Sequence, residues 1–201
     1  MRLWAIAGLM LSVLASASVA AQTELDPENA LFLDLKDGRV VIRMYPQVAP
    51  VTVERIKTLT RQGFYDGLTF HRVLPGFMAQ TGDPKGDGSG ESDLPDLPDE
   101  FNRQLHMRGT VSMANTGEPN SANSQFFIMF NDKRELNGKY TVWGRVVDGM
   151  EFVDNIKKGN EELDGLVEGE PDRIVRMRVV ADTLAEEATS SVEQSATESG
   201  E

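Results

Sequence analysis

Apolar and polar residues alternate in short runs along this chain, a period typical of β-strands that bury one face. The runs predict eight strands, over residues 30–35, 39–44, 69–74, 77–81, 110–114, 126–130, 141–147 and 172–181. Lys36-Asp37-Gly38 joins the first two runs, and an Asp-Gly pair in that position predicts a tight hairpin. In the last run, Arg176 and Arg178 alternate outward from apolar neighbours.

Two further segments have helical spacing. Pro50 suits a first helical turn, Val53, Ile56 and Leu59 form an apolar stripe, and Gly63 marks the end. A second, short helix is predicted over residues 150–158, and residues 82–100 read as a long Gly/Asp/Pro loop. Many short strands and two helices, without a βαβ order, predict an antiparallel barrel with helices at its ends.

Composition indicates one globular domain and excludes several kinds of chemistry. The 201 residues are 40% hydrophobic and 26% charged, which is the globular range. The net charge of -12 argues against a nucleic-acid partner. With no cysteine, the chain has no disulfide or thiolate chemistry, and with only His71 and His106 a histidine-rich metal site is disfavoured.

The first 21 residues predict a signal peptide. Arg2 is followed by an apolar run at 3–14 and by small residues at 15–21, so the mature protein would start near Ala21 or Gln22. The apolar run is too short to span a bilayer, which argues against stable membrane insertion; an uncleaved anchor is the alternative. These features predict an exported protein, in a bacterial periplasm.

The C-terminal residues 182–201 contain six acidic residues and no basic one. Few of their side chains are large and apolar, so the segment predicts a disordered acidic tail. The folded domain is therefore expected over residues 22–181.

The run from Phe70 to Asp83 combines two short apolar strands, broken by Pro75-Gly76, with one arginine. An arginine among apolar residues costs free energy unless it has a partner or a task. The pattern indicates a groove that accepts an apolar substrate and offers it a hydrogen-bond donor, Arg72. A surface salt bridge is the alternative interpretation of Arg72.

Four motifs in register carry a resemblance to the cyclophilin family of peptidyl-prolyl isomerases. They are residues 70–83, Val111-Ser112-Met113-Ala114-Asn115, Ser124-Gln125-Phe126-Phe127-Ile128 and Val142-Trp143-Gly144-Arg145-Val146-Val147. The resemblance extends over residues 29–181. It implies a mainly β fold, a closed eight-stranded antiparallel β-barrel capped by two α-helices. It also implies a monomer that acts without cofactor or metal on proline-containing polypeptides.

The resemblance also implies roles for individual residues. Arg72, Phe77 and Gln80 would be catalytic. Substrate would be bound by the remaining matched positions: His71, Met78, Ala114, Asn115, Gln125, Phe127, Leu136 and Tyr140. Glu135 stands where the best-known members carry a tryptophan that contacts cyclosporin inhibitors, and Tyr140 stands where many carry histidine.

The chemistry of such an isomerase needs no acid, base or nucleophile. Rotation about an X–Pro bond breaks amide resonance, with a barrier of roughly 20 kcal/mol. The twisted imide nitrogen regains its lone pair and can accept a hydrogen bond, and a guanidinium donates without titrating near neutral pH. This requirement favours Arg72 as the donor and gives His71 a supporting role.

Other functions are less well supported by the residues. The loop at 82–90 lacks the order of a phosphate-binding loop, and Asp83, Asp87, Glu91 and Asp93 lack the EF-hand spacing for calcium. A hydrolase would need a nucleophile motif that the sequence does not contain. A non-catalytic proline-peptide binding chaperone or adaptor of the same fold stays open as the alternative function.

Overall fold

The computed structural model describes residues 25–198, with side chains up to residue 191, so the predicted signal peptide lies outside it. Within this range the chain forms eight strands: β1 Ala30–Leu35, β2 Gly38–Met44, β3 Arg72–Leu74, β4 Met78–Thr81, β5 Thr110–Met113, β6 Phe126–Met129, β7 Val142–Asp148 and β8 Arg176–Val179. The helices are α1 Pro50–Arg61, α2 Met150–Asp154 and α3 Val180–Glu198. Short 3-10 turns occur at Pro27–Asn29, Arg134–Leu136 and Glu161–Leu163.

All eight strands join one antiparallel sheet in the order β3-β4-β6-β5-β7-β2-β1-β8. The mainly β prediction and the strand number are confirmed. The predicted closed barrel is not, because the end strands β3 and β8 share no ladder. Within residues 25–198 the two ends meet through a bridge between Thr69 and Arg173 and through hydrogen bonds beside it, such as that from the Phe70 N–H to the Asp172 carbonyl, 2.9 Å. The sheet is therefore curled, with irregular closure.

The β1–β2 hairpin has the predicted turn, with Leu35 paired to Gly38. A side chain at residue 38 would overlap the ring of Phe152, from α2, so glycine is required by close packing as well as by the turn. α2 itself ends at Asp154, four residues before the predicted Lys158.

α1 buries the predicted stripe, since Val53, Ile56 and Leu59 are each at most 1% exposed. The helix ends at Arg61, and Gln62 caps it before Gly63, the predicted end, which lies in the left-handed region at φ 69°. Its first N–H groups, which have no partner inside the helix, are bound by Glu100: the carboxylate accepts from the Val51 and Thr52 amides at 3.0 and 2.8 Å. This contact fixes the end of the long loop at 82–100.

The segment after β8 is helical where the sequence predicted a disordered tail from residue 182. Val180 and Thr183 are buried, and Asp182 accepts two hydrogen bonds from Arg61, at 2.9 and 3.1 Å. Alanine and glutamate, frequent in this segment, are also strong helix formers. None of the helices within residues 25–198 is long and apolar enough to cross a membrane.

Candidate active site

Side chains of β3, β4 and β6 alternate between the main core and the opposite, outward face of the sheet. Val73, Ala79 and Ile128 belong to the main core. Their neighbours along the strands lie on the opposite face, where cross-strand pairing aligns Arg72 with Gln80 and Gln80 with Phe127. A row across three strands thus brings together residues that are far apart in sequence.

An apolar cluster separate from the main core lies beside this row. Met78, Phe127 and Met129 are buried in it, and five partly buried residues pack against them: Leu74, Phe77, Ala114, Leu136 and Tyr140. The rings of Phe127 and Tyr140 meet edge to face at 5.4 Å. The cluster lines a cleft of about 490 Å³, which is large enough for a small apolar side chain with adjoining backbone.

A chain of polar side chains runs along the edge of this cleft. Arg72 Nη1 donates to Gln80 Oε1 at 3.1 Å, and Gln80 Nε2 donates to Gln125 Oε1 at 2.9 Å. Gln125 Nε2 in turn donates to the carbonyls of Gly88 and Gly90, at 3.0 and 2.8 Å. The Arg72 side chain keeps 31% exposure, so the guanidinium is held in place yet open to the cleft.

Ten of the eleven predicted site residues line the cleft, and the eleventh, Gln125, lies behind Gln80 in an adjoining cavity of about 300 Å³. Glu135 is not among the lining residues. It lies on an exposed 3-10 turn, while the neighbouring Lys133 places its Nζ 5.6 Å from the ring centre of Phe77.

Both histidines are buried against the site, and burial lowers the pKa of each ring. The His106 ring stacks on Phe127 at 6.1 Å, with its nitrogens 3.1 Å from Asn137 Oδ1 and 3.0 Å from Ser112 Oγ. At the His71 ring, the charge of Asp83 and the Thr69 backbone favour the protonated form, but burial outweighs them. Burial therefore favours the neutral form of both rings.

The Gly-rich loop is held from inside by Asp83. This buried carboxylate accepts hydrogen bonds from the amides of Lys85, Asp87 and Gly88. Burial raises the pKa of Asp83, but the backbone N–H groups favour the charged form more strongly and leave the pKa lowered. Across residues 25–198 no group of three or more His, Asp or Glu could hold a metal ion, so the calcium alternative gains no support.

Sequence reasoning missed the wall that closes the cleft beside Arg72. Leu163, Asp164 and Leu166 come from the connection between α2 and β8, and Asp164 binds the guanidinium directly. Asp164-Gly165 is a residue pair typical of turns, and such a pair does not predict a contact with β3. His106 was likewise missed as the support of Phe127.

Solved structures with the same architecture define the class of the fold. Cyclophilin AquaCyp293 from Hirschia baltica is similar with a TM-score of 0.70 and 29% identity, over 79% of this chain and 76% of that one. A cyclophilin-type isomerase from Cryptosporidium parvum, crystallised in the presence of the dipeptide Ala-Pro, is similar with a TM-score of 0.68 and 25% identity, over 75% and 98% of the two chains. The fold is cyclophilin-like.

Sequence comparisons agree with the fold. The family model for cyclophilin type peptidyl-prolyl cis-trans isomerase/CLD matches residues 31–179. A probable peptidyl-prolyl cis-trans isomerase of Brucella suis is 50% identical over 89% of this chain and 96% of its own length. Peptidyl-prolyl cis-trans isomerase B of Bacillus subtilis is 42% identical over 67% and 95%. The chain belongs to the cyclophilin-type peptidyl-prolyl isomerase family, and its activity is cis-trans isomerisation of X–Pro bonds.

Proposed function

We propose that this isomerase twists the X–Pro bond by a hydrogen bond from Arg72 to the imide nitrogen while the proline ring occupies the apolar cleft. The observation that carries the proposal is the Arg72 guanidinium, anchored by Gln80 at 3.1 Å on the edge of the apolar cluster. The substrate imide would then meet a donor whose direction is set before binding, so little free energy is lost in orienting it.

The magnitudes require more than this one hydrogen bond. A thousandfold acceleration needs about 4 kcal/mol. A hydrogen bond to a charged group contributes about 1.5–3 kcal/mol. The remainder is assigned to the cleft, whose walls at Phe77, Met78, Phe127 and Leu136 would fit the twisted substrate better than the planar one.

Other residues hold the peptide and support the pocket. Ala114 and Asn115, at the end of β5, would meet the substrate through backbone groups. Gln125 fixes Gln80, and Tyr140 and His71 shape the walls. Proton transfer has no part in this scheme, which suits two buried histidines whose charged form burial disfavours.

The protein is further proposed to act as a monomer on proline-containing polypeptides exported to a bacterial periplasm. The support is the signal-peptide pattern of residues 1–21. N-terminal sequencing of the protein from the periplasmic fraction tests this location. A start near Ala21 or Gln22 is expected, and an intact Met1 in the cytoplasmic fraction would contradict it.

An isomerisation assay on an Xaa-Pro peptide tests the mechanism. We expect Arg72→Ala to lower kcat/KM by at least tenfold while circular dichroism stays unchanged. Arg145→Ala, which alters an exposed arginine of β7, is the control and should retain activity. Equal rates for wild type and Arg72→Ala would refute the role of Arg72.

A further inference from the structure

The connection between α2 and β8 runs along the outer edge of β3, the edge that pairs with no strand of the sheet. The Gly159 N–H donates to the Val73 carbonyl at 2.8 Å, and the Val73 N–H donates to the Gly165 carbonyl at 2.7 Å. One step along, the Val167 N–H donates to the His71 carbonyl at 3.0 Å. The backbone on both sides of Arg72 is therefore paired with this segment, residues 159–167, which we call the β3-edge loop.

The β3-edge loop turns Asp164 toward the guanidinium. Asp164 and Gly165 are consecutive left-handed residues, with φ of 51° and 81°. Aspartate is one of the few residues with a side chain that adopts this region readily. At residue 165 even a Cβ would lie 2.6 Å from Leu74, so the glycine permits the close approach to β3.

Asp164 binds one edge of Arg72 with three acceptors. Oδ1 lies 3.0 Å from Nη2, Oδ2 lies 3.2 Å from Nε, and the Asp164 carbonyl oxygen also lies 3.0 Å from Nε. Paired, side-on contacts of this kind fix the plane of a guanidinium as well as its position. The Asp164 side chain is 79% exposed, so packing against the fold does not explain why it lies against Arg72.

Asp164 and Gln80 together occupy only some of the donors of Arg72. A guanidinium has five N–H groups. Asp164 takes the Nε–H and one Nη2–H, and Gln80 takes one Nη1–H. Among the residues that the structure describes, one N–H on each Nη atom has no partner. Asp164 and Gln80 bind different edges of the guanidinium and so fix its plane. The two donors that a substrate imide could use are therefore held in one orientation.

We propose that Asp164 is a positioning residue of this isomerase, which holds Arg72 so that its free Nη donors point at the twisted imide. The proposal rests on the proposed role of Arg72. In this role Asp164 acts through the guanidinium, by the three contacts it makes to Nε and Nη2. Its loss should therefore reduce transition-state stabilisation more than substrate binding.

Three variants of the full-length protein test the proposal: Asp164→Ala, Asp164→Asn and, as a matched control, Glu161→Ala, an exposed acid of the same loop. With a hydrogen bond to a charged group lost, we expect Asp164→Ala to lower kcat about tenfold with KM nearly unchanged. Asp164→Asn keeps one carbonyl acceptor and should recover part of the rate. Glu161→Ala should match the wild type.

A double mutant separates positioning from a merely structural role. If Asp164 acts only through Arg72, adding Asp164→Ala to Arg72→Ala should change the residual rate less than twofold. A further tenfold loss of rate in the double mutant, relative to Arg72→Ala, would overturn the proposal. So would a kcat of Asp164→Ala equal to that of the wild type when Arg72→Ala is impaired. Unchanged activity of Arg72→Ala itself would instead refute the proposed mechanism. If Asp164→Ala has a lower melting temperature but the kcat of the wild type per folded molecule, Asp164 only stabilises the fold and the proposal is wrong.

Discussion

Gln80 is the residue whose replacement tests the polar chain most directly. Gln80→Leu keeps the approximate shape of the side chain and removes two hydrogen bonds, from Arg72 Nη1 at 3.1 Å and to Gln125 at 2.9 Å. Arg72 retains Asp164 on its other edge, so the guanidinium stays near the cleft but turns more freely. The perturbation therefore affects orientation more than charge.

The expected loss follows from these contacts. A hydrogen bond to a charged group contributes about 1.5–3 kcal/mol, and misorientation forfeits part of what Arg72 gives the transition state. A loss of about 1.4 kcal/mol corresponds to a tenfold fall in kcat/KM, which should be smaller than the effect of Arg72→Ala. Because Gln80 is partly exposed, the free energy of unfolding should fall by about 1 kcal/mol or less.

Two measurements on one preparation decide the outcome. Exchange NMR on an Xaa-Pro peptide gives kcat/KM, and urea denaturation gives the free energy of unfolding. Gln47→Leu, which changes an exposed glutamine outside the cleft, controls for added surface leucine. A Gln80→Leu rate within twofold of wild type, with the fold intact, would refute the role of the polar chain in orienting Arg72.

Because burial lowers the pKa of His71 and His106, folding disfavours their protonated forms, so stability should be full above pH 6.5 and fall as the pH drops below it. Urea denaturation at pH 7.5 and 5.5 should show a smaller loss for His106→Gln than for wild type; equal losses would contradict this. Removing residues 182–201 deletes the Arg61–Asp182 pair, worth about 0.2–1 kcal/mol. The buried Thr183 side chain is lost as well, so the melting temperature should fall by about 2–4 °C, with activity retained. Removing only 188–201 should leave it unchanged, and an equal fall would exclude the pair as the cause.

Local patterns predicted most elements of the fold. The Asp37-Gly38 turn and the stripe on α1 depend on residues near one another in sequence, and both were found where expected. β8 is shorter than its apolar run because residues 172–174 bond to the chain before β3, and Val175 is turned outward at 60% exposure. α3 was not predicted, because the low apolar content of the segment reveals neither its helix propensity nor the Arg61–Asp182 pair.

In the candidate site too, some residues could be predicted from the sequence and one important residue could not. The motifs singled out Arg72, Gln80, Gln125 and Phe127, and a shared strand face brings them together. Asp164 could not be found from the motifs, since it lies 92 residues from Arg72. Its contact depends on the path of a loop along the free edge of β3, which no local pattern encodes.

By itself, then, the sequence determined the strand alternation, the hairpin and first helix, and the residue types of a site suited to an X–Pro bond. These follow from short-range periodicity, turn chemistry and motif order. Only the tertiary structure decided how the curled sheet meets at its ends and which two partners hold the Arg72 guanidinium. Such contacts join distant segments, and their geometry is set by packing and by pairing at strand edges.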